Sequence, residues 1–376
     1  MDKKTPTAYV ASAALVVFAS ALGTSSEPVA AGQEAIVIPD EVSCPQCEIK
    51  VSRVATLGSE SEPSPGFVCQ YWTRVAANSR GQFYVAPTCT GGEIDVYSAE
   101  GEWLETFGRL GEAPGEFAHI LQIHVGPDDY VYVFDTSHRL KVLTPDHEEH
   151  KRAGAVFKPP SAFAAGRVDE RAVVQVEIRT ESRIGYPLHS LEPNGSLSRS
   201  FGTIRRAFLP SSSWRSVRRM IAINNDGLVW SSKSQPDDYQ IELWDPADGS
   251  LRLTLLRQVD WYKGEATAGA VTQGLHVDGD GLLWSLVAMA PKQWEWGDQN
   301  RTPEEINEDR FSIIEVINPV TGQLVAQRRL ETVFERFIGQ QMMYSFRGIP
   351  DGNNVIDVWR FELVNPDQLN NKGAMR

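Results

Sequence analysis

Past its first 21 residues the chain has no apolar run near the roughly 20 residues that a membrane-spanning helix needs. Positive charge is also in deficit: 36 Lys and Arg face 49 Asp and Glu, a formal net charge of −13 at pH 7. The first absence argues against any later transmembrane span, and the second sets the surface against phosphate backbones, so no nucleic-acid partner is expected. Cysteine is scarce as well, with four among 376 residues. Cys44 and Cys47 stand in CPQC, without the His that completes a c-type haem site and without the two further ligands of a zinc site.

The N-terminus reads differently. Lys3 and Lys4, an apolar run from Ala8 to Phe18 and Ala19-Ser20-Ala21 have the order of a secretory leader with its cleavage site. A retained anchor is the alternative, and no nearby cysteine offers a lipidation site. The expected organisation is a signal peptide at 1–21, a linker at 22–44, one folded domain at 45–365 and a tail at 366–376. The mature protein is expected to be exported, periplasmic or extracellular, and monomeric.

What is abundant is a repeat. SRGQFYV (79–85), GPDDYVYV (126–133), NNDGLVWSS (224–232), VDGDGLLWSL (277–286) and PDGNNVIDVW (350–359) align on a polar turn. In the first four a short apolar strand precedes the turn. Asn and Gly tolerate positive φ, which makes these hairpin turns, and a third strand and another turn follow each one. PPSAFAAGRVDERAVVQVEI with YPLHSLEPNGSLSRSFG fills the gap between 129 and 227 as a degenerate unit. Six units of four antiparallel strands predict an all-β fold, a six-bladed β-propeller. VSRVATLG (51–58) reads as a lone fourth strand that completes the last blade, closing the ring and leaving no free edge.

The second unit, GEAPGEFAHILQIHVGPDDYVYVFDTSHRLKVLTPD, resembles an NHL repeat, and the other units share mainly its hairpin. The resemblance implies a bacterial exported NHL-like propeller, a family that spans lyases, lactonases and binding platforms. Fold alone therefore names no chemistry.

Side chains just before the first strand of each blade form the candidate rim of the channel: Trp72, Thr73 and Arg74; His119 and Gln122; Arg218 and Arg219; Gln273; Tyr344. Lactonase-type propellers place metal-binding carboxylates here, and amidating-lyase relatives a ring of His. The matching positions are Thr73, Leu121, Arg219, Gln273 and Tyr344, so neither metal set transfers, and no metal or cofactor is expected. A basic, amide-rich rim suits a small anionic ligand, with an envelope protein as the other candidate partner. A binding module is the first reading and a lyase or lactonase acting at the channel is the alternative. His124 and His276 share the middle of the first strand in blades 2 and 5, with Arg347 as their equivalent in blade 6. They line the channel if that position faces inward, and are packed residues if it faces a neighbouring blade.

Cys69 and Cys89 fall at one end of blade 1 and are expected to bridge, and Cys44 to pair with Cys47. Tyr84, Tyr132, Trp230 and Trp284 recur in register and are read as packing between blades. VDGDG is read as a turn rather than a calcium loop. Trp294 and Trp296, in the long loop at 291–310, are candidate contact residues.

Overall fold

The turn at 78–82 shows how these residues fold. Asn78 Oδ1 accepts from the backbone N–H of Arg80 (3.1 Å) and of Gln82 (2.9 Å), while Gly81 adopts φ +80°. Asn224 and Asp278 repeat the arrangement, each accepting from the residues two and four ahead, with Gly227 and Gly281 at φ +80° and +78°. An Asx side chain replaces the missing ladder partners, and only Gly takes the left-handed position without a steric cost. VDGDG is therefore a hairpin turn. Its Asp278 also accepts from Trp284 Nε1 (2.8 Å), which ties the turn to an aromatic side chain with no exposed surface.

A computed structural model describes residues 34–58, 68, 73–87, 91–126, 128–154, 162–165, 172–175, 186–192, 196–202, 218–233, 239–262, 270–289, 310–339, 341–348 and 354–365. Two strands come first, β1 (Glu34–Ile38) and β2 (Glu48–Leu57). Blade 1 holds β3 (Thr73–Ala77), β4 (Phe83–Pro87), β5 (Ile94–Tyr97) and β6 (Trp103–Phe107); blade 2 holds β7 (Ile120–Val125), β8 (Val131–Asp135), β9 (Arg139–Leu143) and β10 (Glu149–Gly154). Blade 3 holds β11 (Ala162–Ala165), β12 (Ala172–Gln175), β13 (Leu188–Leu191) and β14 (Leu197–Phe201). Blade 4 holds β15 (Arg219–Ile223), β16 (Val229–Lys233), β17 (Tyr239–Asp245) and β18 (Ser250–Arg257). Blade 5 holds β19 (Val271–Val277), β20 (Leu283–Met289), β21 (Phe311–Asn318) and β22 (Gln323–Leu330). Blade 6 holds β23 (Arg336–Ile338), β24 (Met342–Gly348) and β25 (Asn354–Val364), with β2 as its fourth strand. The β2–β25 pairing is antiparallel and runs from Glu48↔Val364 to Leu57↔Ile356.

The first strands β3, β7, β11, β15, β19 and β23 touch in that cyclic order and return to β3. Between the sheets lie apolar clusters that each join two adjacent blades. Tyr84, Ile94 and Val96 meet Ile123 and Val133; Phe134 and Leu140 meet Val174 and Leu191; Val173 and Phe201 meet Val229 and Trp244. Trp230 and Ile241 meet Leu275 and Ile313; Trp284 and Ile314 meet Met343 and Phe361; Ile356 and Val358 meet Val75 and Phe83. Each large side chain buried this way contributes about 1.5–3 kcal/mol, so the ring is held by sheet-to-sheet packing. The recurring aromatics belong to that packing, with Tyr84, Trp230 and Trp284 at 3% exposure or less and Tyr132 half-buried.

Two readings of the sequence need correction. In blade 6 the DGNN turn reads as the first hairpin, which sets Tyr344 just before the first strand and Arg347 in its middle; both lie on β24, the second strand. The first hairpin turns at Gly339–Gln341, where Gly339 (φ +52°) and Gln341 (φ +54°) supply the left-handed backbone without an Asn-Gly or Asp-Gly signature. Within 22–44, β1 adds to blade 4 as a fifth strand, parallel to β18 from Glu34↔Leu253 to Ile38↔Arg257. Downstream of it Val42 bridges Leu324 of blade 5, and the Cys44–Cys47 disulfide leads into β2. The segment thus fastens the outer margins of blades 4, 5 and 6. Its anchor is Arg257, 4% exposed, which donates to Glu315 (2.8 and 3.1 Å), to Asp40 (2.8 Å) and to the Pro39 carbonyl (2.9 Å). Cys69 and Cys89 lie outside the described residues, as do Trp294 and Trp296.

Candidate functional site

The first strands line a central cavity of about 300 Å³. Its walls are apolar along Val75, Ile123, Ile221 and Leu275, and polar at Gln122, Gln273 and Arg336. At one end Ser79 closes blade 1 on blade 2, donating from N and Oγ to the Asp129 carboxylate (2.7 and 2.6 Å).

The other end, where the first strands begin, gathers positive charge. Arg74 rises from β3 and donates through Nε to the Leu121 carbonyl of blade 2 (3.2 Å). Arg336 opens β23 beside its cross-strand partner Tyr344, and Glu335 N donates to the Tyr344 carbonyl (2.9 Å). Arg218 immediately precedes β15. Burial pulls its guanidinium down to about 9, and the charges of Arg336 and Arg74 push the same way against weaker help from Glu335. Arg74 is lowered for the same reasons, burial first and Arg336 next. Burial raises the Tyr344 phenol, which the three arginines partly offset. Blades 1, 4 and 6 thus bring three guanidinium groups within electrostatic reach of one another, with Glu335 the carboxylate beside them among the described residues. Arg218 Nε is buried there with no hydrogen-bond partner among the described residues.

Gln122 and Gln273 are each 8% exposed and line the cavity from blades 2 and 5. Gln273 sits at a β-bulge, between Thr272↔Val287 and Gly274↔Leu286, where the extra residue re-aims a side chain. His124 and His276 also line the cavity, and burial lowers both to about 4, which keeps them neutral at pH 7. The His276 ring lies against Phe337 and Phe361 of blade 6, and its Nε2 is buried without a partner.

One rim assignment, Arg219, and one channel assignment, Arg347, fail on geometry. Arg219 is 2% exposed and pairs with Glu242 of β17 (3.0 Å), which takes it out of the rim. Arg347 is bound to Asp357 on the neighbouring strand β25 (2.8 and 3.2 Å) and does not line the channel. His119 is exposed in the loop before β7, where its carbonyl accepts from Thr136 N (2.9 Å). Trp72 lies outside the described residues, and Thr73 is fully buried. Arg336 was missed through the one-strand shift in blade 6, since Glu335-Arg336 holds the position that Arg74 holds in blade 1. Among the described residues no three His, Cys, Asp or Glu side chains come together as a metal site.

Comparison with solved structures finds the same architecture. A protein of Bacteroides fragilis assigned as exported superposes with a TM-score of 0.56 at 8% identity, over 87% of this chain and 99% of that one. The likeness is one of fold. A protein assigned as a gluconolactonase (TM-score 0.46, 14% identity, 84% of this chain and 93% of that one) and a streptogramin B lyase (0.46, 10%, 84% and 98%) are more distant. No family model matches the chain, the NHL repeat included, and no curated protein matches it by sequence.

Proposed function

We propose that this chain is an exported, NHL-like propeller that binds a small anion at the channel mouth through Arg74, Arg218 and Arg336, with Tyr344 beside them. The observation that carries the reading is Arg218. It is a cation held beside two others, with a buried Nε–H that no group among the described residues accepts. Burying an unpartnered donor and opposing like charges both destabilise the empty protein, and an anion removes both costs through charge-assisted hydrogen bonds. Export rests on the leader-like first 21 residues, and N-terminal sequencing of the secreted protein tests it.

Titration calorimetry at low ionic strength with inorganic phosphate and with acetate tests the anion site. Arg218→Gln should weaken binding by about ten- to a hundredfold, the value of a hydrogen bond to a charged group. Arg218→Lys should lose nearly as much, because a point charge lacks the guanidinium fork. Wild-type protein that binds neither anion would refute the reading.

A further inference from the structure

Two features of the cavity are unexplained by a bare anion. Gln122 and Gln273 are over nine-tenths buried, line the channel from opposite blades, and their side-chain amides make no hydrogen bond among the described residues. A side-chain amide offers two N–H donors and a carbonyl acceptor. A carboxylate or phosphate uses only donors, so the two carbonyl oxygens suit ligand O–H groups. The cavity, at about 300 Å³, holds the volume of about ten water molecules, far more than acetate fills. The same cavity is lined by the aliphatic residues Val75, Ile123, Ile221 and Leu275, which suit the C–H faces of a hydroxylated ring.

We infer that the anion is a hydroxylated carboxylate of the sugar-acid class, its carboxylate at the Arg74, Arg218 and Arg336 mouth and its hydroxyls on the Gln122 and Gln273 amides. This rests on the anion reading above.

The test is calorimetry on the intact protein with D-glucuronate, D-glucose, acetate and inorganic phosphate. Glucose keeps the ring and lacks the charge; acetate keeps the charge and lacks the hydroxyls. Glucuronate should bind at least about tenfold more tightly than either, since each added hydrogen-bonded group is worth about a factor of ten. In Gln122→Met/Gln273→Met, of nearly equal volume, glucuronate should fall to within about twofold of acetate. The ligand series on unaltered protein decides the matter should that variant not fold. Acetate and phosphate binding with no preference for glucuronate overturns the sugar-acid inference and leaves the anion site standing. Glucose binding as tightly as glucuronate, or none of the four binding, overturns both. Methyl β-D-glucuronoside then separates a free acid, which it would replace poorly, from the end of an acidic glycan, which it would match.

Discussion

If Arg218 is held in place for a ligand, removing its charge should stabilise the empty protein. A guanidinium lowered to about 9 has lost more than three decades of proton affinity on folding, which sets a ceiling of about 4–5 kcal/mol on its cost at neutral pH. Arg218 is half-buried, so screening by solvent reduces this to about 1–2 kcal/mol. Arg218→Gln should therefore raise the urea midpoint of the empty protein at pH 7. The sign with pH is fixed as well. The cost is complete below the folded value and fades as pH rises through about 9, because the folded state sheds its proton before the unfolded one. The advantage of the variant over wild type should shrink by pH 10. Saturating anion should reverse the ranking, because only the wild-type protein gains the full binding energy. Among the described residues the neighbouring charges are Arg336 and Arg74, which lower the guanidinium, and Glu335, which raises it less. Clear destabilisation of the empty protein by Arg218→Gln would mean that the guanidinium serves packing or a structural ion pair, and the anion-site reasoning would fall.

Arg257→Met leaves Glu315 buried without a countercharge and should cost about 3–5 kcal/mol by urea denaturation, while Arg257→Met with Glu315→Met should recover most of it. An equal loss in single and double variants would deny the coupling. Asp278→Ala removes the acceptor of two backbone N–H groups and of Trp284 Nε1, and should cost about 2–3 kcal/mol and shift tryptophan emission; an unchanged midpoint would show that the turn forms without it. His124 and His276 are held at about 4 against an unfolded value near 6.5. The unfolded state binds more protons in that window, so stability should fall as pH drops from about 6.5 to 4. His276→Phe should flatten the fall, and a variant as acid-sensitive as wild type would refute the assignment.

The sequence revealed most where the controlling interaction is local. The turns at Asn78, Asn224 and Asp278 are made by a side chain bonding residues two and four ahead, so spacing alone placed the hairpins, and with them the blades and the buried aromatics. Blade 6 misled because its true first turn uses Gly339 and Gln341, while the strong DGNN signal belongs to the next connection. β1 was hidden because its partner β18 lies more than 200 residues away and parallel pairing needs no turn. Arg219 was misjudged for a related reason: Glu242 meets it only after β15 and β17 share a sheet. Tyr344 reached the right neighbourhood through the wrong strand, since cross-strand pairing sets it opposite Arg336.

A propeller puts this chemistry at the strand starts for a physical reason. Along the first strands Val75, Ile123, Met220 and Leu275 belong both to the clusters between blades and to the cavity lining, and a polar substitution there disturbs two sheets at once. Residues just before or at the start of the strand have a neighbour on one side and the open mouth on the other. Arg74, Arg218 and Arg336 occupy that zone, and their exposure tempers the cost of like charge while their convergence preserves it. The blades therefore constrain the channel mouth strongly in geometry and weakly in composition. That is why repeat patterning predicted the architecture and gave only a partial view of the site, whose members follow no repeat.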